Sequence, residues 1–137
     1  MVEQVRPRLV QTAIDAEDVR GTAEFWRELL GLQYRPGDEP PARGPDTADW
    51  VVLRDGERNV LAVQQAVGLP RSTWPSHEVP QQLHLDLAVD SEEELLAARD
   101  RVLALGGEVR LDRFDDPEEA LYVFTDPAGH PFCIFVV

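Results

Sequence analysis

Few side chains in this chain can carry chemistry. There is one cysteine, Cys133, and three histidines, His77, His84 and His130. The run His84-Leu85-Asp86 sets an imidazole and a carboxylate two residues apart, which on a strand places both on one face. Either His84 or Asp86 is a candidate general base. At strand spacing Asp86 lies about 6.5–7 Å further along than His84, too far to share a tight site easily. A Cys133–His84 pair is a candidate activated thiolate, although nothing in the sequence brings the two within hydrogen-bond reach. Simpler readings stand beside these. His84 suits a polar pocket-lining or hydrogen-bonded sheet residue, and Cys133 a small packing residue. His77 and His130 fall in a loop and a hairpin, where turn chemistry accounts for them. Trp26, Trp50 and Trp74 suit packing, and Trp50 or Trp74 is also placed to stack on a flat ligand. All thirteen basic residues are arginine; without lysine there is no Schiff base and no Walker-type phosphate loop.

The elements that must position these groups repeat along the chain. A strand-like run, Leu9 to Ile14, precedes Asp15 and Asp18 as turn and N-cap candidates. The helix then carries Phe25, Trp26, Leu29 and Leu30 and stops at Gly31, a residue that takes the left-handed cap freely. The second half opens on Leu83-His84-Leu85-Asp86-Leu87-Ala88-Val89, whose alternation is that of a half-buried strand. Ser91 and Glu94 form a capping box for a helix through Leu95, Val102 and Leu105, closed by Gly106-Gly107. Glu92-Glu93-Glu94 reads as acid at the positive helix end. Three shorter strands follow in each half, near 33–35, 50–54 and 60–65, then 108–112, 121–125 and 132–136, with Asp55-Gly56 turning between the first set's last two. Residues 36–49 carry four prolines and 68–80 carry three with Trp74; both are too proline-rich for regular structure, and either can cover a pocket.

Length and charge bound the rest. At 137 residues, 43% of them hydrophobic, the chain has the size and composition of one globular domain with a real core. No apolar run approaches the roughly 20 residues a membrane helix needs. The start, Met1 to Arg6, has no apolar signal core, so a cytoplasmic location is expected, in keeping with a lone cysteine that forms no intrachain disulfide. A net charge of −13 disfavours nucleic acid and anionic membrane surfaces as partners and tolerates neutral or cationic small molecules far better; solubility accounts for it before any steering of a cationic ligand.

A strand, Asp-x-x-Asp, a helix with Glu24-Phe25-Trp26 ending Leu29-Leu30-Gly31-Leu32, then Gln81-Gln82-Leu83-His84-Leu85-Asp86 and Asp126-Pro127-Ala128-Gly129-His130-Pro131-Phe132 form an ordered set. Together they resemble the glyoxalase/bleomycin-resistance (vicinal oxygen chelate) superfamily, in its glyoxalase-like subgroup, over residues 8–137. The resemblance implies an α+β fold of two tandem βαβββ modules with curved mixed sheets around a shared cavity. Module 1 covers about 8–67, a linker about 68–80, and module 2 about 81–137. It also places four metal-ligand positions at Gln11, Gln64, His84 and Cys133. Strand parity agrees, since each lies opposite the apolar face expected beneath a helix. Two of the four are amides, weak ligands, and the pair His84/Cys133 falls short of the three ligands usual at catalytic zinc.

The expected function is therefore small-molecule binding, of the ligand- or drug-sequestering kind, with a pocket lined by Gln11, Gln64, His84, Cys133, Trp50 and Trp74. The alternative is a lyase, isomerase or dioxygenase-type enzyme, metal-dependent or using His84 or Asp86 as base. No bound metal is expected; zinc is the alternative. A homodimer is expected, because half-open cups of this fold are often completed across two chains.

Overall fold

The computed structural model describes residues 3–137; Met1 and Val2, at the head of the N-terminal stretch read above, lie outside them. Ten elements follow in order: β1 (Thr12–Ala16), α1 (Val19–Leu30), β2 (Gln33–Tyr34), β3 (Trp50–Asp55), β4 (Arg58–Gln65), β5 (Leu85–Val89), α2 (Glu92–Ala104), β6 (Glu108–Arg113), β7 (Leu121–Thr125) and β8 (Pro131–Val136). They form two four-stranded mixed sheets of identical plan, β1-β4-β3-β2 and β5-β8-β7-β6. In each, the first strand runs parallel to the last and the other pairs are antiparallel. The expected pair of βαβββ modules is thus the architecture.

Local chemistry sets the helices. The Asp18 side chain accepts a hydrogen bond from the backbone N–H of Gly21 at 2.9 Å, and Gly31 closes α1 at φ 68°. Ser91 caps α2 by accepting from Glu94 N at 3.1 Å. The Glu94 carboxylate returns to Asp90 N at 2.8 Å, one residue earlier than the capping box expected from the sequence. Gly107 is required by close approach, since a Cβ there would sit 2.6 Å from Val102 Cγ1 and 3.0 Å from Thr125 O.

One core joins the modules. Ile14, Leu61, Val63 and Leu53 of the first sheet pack with α1, in the same cluster as Phe124, Phe132 and Ile134 of the second. Trp26, 1% exposed, is its hinge point. Its ring meets Phe25 and Phe132 edge-on at centroid distances of 5.2 and 4.8 Å. Its indole N–H donates to the fully buried Asp126 carboxylate at 3.0 Å. The other Asp126 oxygen accepts from His130 N at 2.8 Å. The Asp-Pro-x-Gly turn of module 2 is thereby fastened to the helix of module 1.

The strands that open the two modules start later than the sequence reading, and β4 starts two residues earlier, at Arg58. Leu9 and Val10, expected in the first strand, are 89% and 54% exposed and precede it, while Asp15, expected in a turn, belongs to β1. Among the described residues no element covers Leu9 and Val10, so their apolar character does not mark a strand. Leu83 and His84 similarly precede β5, and Leu83 is 64% exposed.

Candidate functional site opposite the helices

Alternation divides the second sheet into two faces. Leu85, Leu87, Phe132 and Ile134 point into the shared core, leaving Asp86 and Cys133 on the opposite, open face. The parallel register sets Asp86 directly beside Cys133, and Cys133 beside Val123. His84 reaches the same spot from the stretch before β5: its Nε2 lies 3.2 Å from Asp86 Oδ1. One donor atom from each of His84, Asp86 and Cys133 falls within 4.8 Å of the others.

This corrects the expectation that Asp86 lies too far from His84 to share a site. The strand rise estimate holds for residues inside a paired strand, whereas His84 is outside β5 and the two side chains lean together. It also brings Cys133 into the vicinity of His84, which the sequence alone did not.

The cysteine is half-buried, and its thiol is pushed up from the ordinary range, first by burial, then by the Asp86 charge and the hydrogen bond to Asp86, and by the charge of Glu119. A protonated thiol beside a carboxylate is a donor, not a nucleophile. We expect alkylation of Cys133 by iodoacetamide to titrate with a midpoint above that of a free thiol, and Asp86→Asn to bring the midpoint down. A wild-type midpoint at or below the free-thiol value would contradict the arrangement. The linked stability has a definite sign. Folding holds the proton more tightly than the unfolded chain does, so this contribution is complete below the ordinary thiol range and is lost as pH rises through the folded value.

The remaining sequence candidates lie elsewhere. Gln11 Oε1 accepts from Asn59 Nδ2 at 2.9 Å, and Asn59 Oδ1 accepts from Arg54 Nε at 2.8 Å, so this amide is committed to the first module. Gln64 is exposed between Asp15 and Trp50. Among the described residues no hydrogen bond or ion pair joins either glutamine to the His84 cluster. The registers also correct the choice of Gln64. Thr12 pairs with Leu61 as Leu85 pairs with Phe132, so Cys133 has Ala62 as its counterpart and Gln64 matches Phe135. Ala62 is fully buried and offers no donor. Counting from the hairpins would have found this, since Cys133 stands seven residues after Asp126 and Ala62 seven after Asp55.

Trp50 lines a shallow cavity of about 230 Å³ beneath the 37–48 loop, with Arg20 and Asp46. Trp74 lies in the segment between β4 and β5, where its carbonyl accepts from Arg110 at 2.8 Å. Neither borders a cleft of about 480 Å³ that opens between Ala13 and Asp15 of β1, the 69–83 segment and the His130-Pro131 turn. That segment is strapped down by Arg110 to Ser72 O and Trp74 O and by Arg71 to Pro127 O, at 3.1, 2.8 and 2.7 Å. His130, assigned to turn chemistry from the sequence, also places Nε2 2.6 Å from Asp15 O on the cleft wall. Asp15 reads as a turn residue when β1 is started at Leu9, and Gln81 and Gln82 read as part of the motif ahead of His84, so none of the three stands out as a lining residue from the sequence.

The glyoxalase-like domain family matches residues 11–135 of the chain. The chain belongs to the glyoxalase-like domain family. No curated protein matches it by sequence. Among solved structures, this glyoxalase-like chain is similar to the genomically encoded fosfomycin resistance protein FosX of Listeria monocytogenes, in its tetragonal form, with 16% identity, TM-score 0.67 and 97% and 93% of the two chains covered. It is similar also to a glyoxalase/bleomycin resistance protein/dioxygenase family enzyme of Burkholderia phytofirmans PsJN (18%, 0.64, 93% and 97%). A third is the lactoylglutathione lyase of Agrobacterium tumefaciens (19%, 0.59, 97% and 96%). At these identities the likeness is one of fold. Among the described residues, no helix of the glyoxalase-like chain is long and apolar enough to cross a membrane.

Proposed function

We propose that this glyoxalase-like protein binds a small molecule on the open face of its second module, beside a zinc centre held by His84, Asp86 and Cys133. The observation that carries the reading is the convergence of three donor atoms within 4.8 Å. Imidazole, carboxylate and thiolate are all zinc ligands, and three protein ligands with an open fourth position is the arrangement of catalytic zinc. The donor set therefore fits the ion, which the two-ligand reading of the sequence did not. When bound, zinc would polarise a ligand oxygen as a Lewis acid. The chain's own groups do the rest: Asp86 orients the His84 ring and holds the thiol proton that binding must displace.

A second, metal-free reading is favoured by the contacts of Asp86 to both His84 and Cys133, which already satisfy the cluster. In that form the protein sequesters a small molecule, or uses His84 against Asp86 to move a proton. In either form we place it in the cytoplasm as a homodimer, a second copy covering the exposed Leu9 and Val10. Equilibrium dialysis against zinc with elemental analysis separates the readings. Near one equivalent is expected, lost in Cys133→Ala and in Asp86→Ala. Substoichiometric zinc in the wild type would leave the metal-free form.

A further inference from the structure

The cleft of about 480 Å³ beside β1 falls in the size range of small-molecule pockets. Its lining is chemically one-sided. The apolar wall comes from Leu69, Pro70, Val79, Pro80, Leu83 and Pro131, with prolines that hold their shape at little entropic cost. Among the described residues its one carboxylate is that of Asp15, and no arginine lines it. Among the described residues, no hydrogen bond or ion pair takes the Asp15 carboxylate.

The histidine adds to the same bias. A backbone carbonyl only accepts, so His130 Nε2 carries the proton that Asp15 O receives at 2.6 Å. In the neutral ring Nδ1 is then an acceptor. Gln81 and Gln82 supply amides that take either role. A site with a free carboxylate and no arginine suits a ligand that brings donors and positive charge on an apolar body, and disfavours a carboxylate or phosphate.

We infer that this cleft binds amphipathic organic ammonium compounds, with the ammonium on Asp15 and the apolar body against the proline-rich strap. The inference rests on the reading of the protein as a small-molecule binder, and not on the zinc centre, whose residues do not line the cleft.

The test uses three indoles of similar size at low salt, with Kd by calorimetry on the full chain: tryptamine as the cation, tryptophol as the neutral form and indole-3-acetate as the anion. Because Asp15 is exposed, we expect tryptamine to bind about fivefold tighter than tryptophol, the upper range for a solvent-facing ion pair, and indole-3-acetate weakest. Asp15→Asn should bring tryptamine and tryptophol within twofold of each other. Glu57→Gln, which removes one charge at the distant β3–β4 turn, should leave the preference intact. Leu83→Trp, at an exposed lining position, should weaken all three. Equal binding of the three probes, no binding, or a cation preference that survives Asp15→Asn would overturn the inference, the last assigning it to the overall acidity. Zinc content of the same samples keeps the two proposals apart. Zinc bound without the tryptamine preference sinks the cleft alone; the preference without zinc sinks the metal centre alone.

Discussion

Replacing Trp26 by alanine is expected to destabilise the protein by about 4 kcal/mol, within the range for emptying a buried tryptophan site. The ring is 1% exposed and stacks edge-on against Phe25 and Phe132, contacts that add to the area it buries. The substitution also leaves the fully buried Asp126 carboxylate without its indole donor, at a further cost characteristic of an orphaned buried group. In a chain of this length each kcal/mol moves the melting temperature by roughly 3–4 °C, so a loss of about 12–16 °C is expected. Trp26→Phe divides the two effects. It keeps most of the ring contact and removes the N–H, and about 1–3 kcal/mol should be lost. Since Trp26 belongs to the first module and Asp126 to the second, both variants should still melt in one transition, earlier than the wild type. Circular dichroism at two wavelengths checks this. A shift of less than about 3 °C for Trp26→Ala, or two separate transitions, would mean that the modules are not held together through this contact.

Much of that frame was legible in the sequence because it rests on short-range signals. The caps at Asp18 and Ser91, the glycine stop at Gly31 and the strict alternation of Leu85, Leu87 and Val89 each act within a few residues. Face assignment followed, since parity within a strand is local. Position across strands was less legible. Gln64 is a polar residue on the right face of β4, yet two residues past the counterpart of Cys133, because register depends on hairpin geometry rather than on the type of the residue. His84 against Asp86 was missed for a related reason: the strand rise describes backbones, and two side chains at a strand entrance can close a gap that the backbone leaves. The Trp26–Asp126 bond spans 100 residues, and no local signal announces it.

Zinc should raise the melting temperature of the purified protein, whereas the amide-rich ligand set read from the sequence implied no response to metal or chelator. The difference rests on Asp86. With His84 and Cys133 alone the ion has two good ligands; with the carboxylate 3.2 Å from the imidazole it has three. Binding to the folded chain alone stabilises by RT ln(1 + [L]/Kd), about 2.7 kcal/mol at a hundredfold excess over Kd, which corresponds to roughly 8–11 °C. The response should grow with pH, because the Cys133 proton, held above the ordinary thiol range by burial and by Asp86, must leave before the sulfur can bind. A smaller shift at pH 6 than at pH 8 is therefore expected. Magnesium, which prefers oxygen ligands, should produce none. Cys133→Ala should abolish the zinc shift, and Gln11→Ala should leave it unchanged, since Gln11 is bonded to Asn59 in the other module. Differential scanning fluorimetry with zinc at two pH values, each with a chelator control, reads all of these. If millimolar zinc moves the wild-type melt by less than about 1 °C at pH 8, the three side chains form a hydrogen-bonded cluster and not a metal centre, and the metal-free reading takes its place.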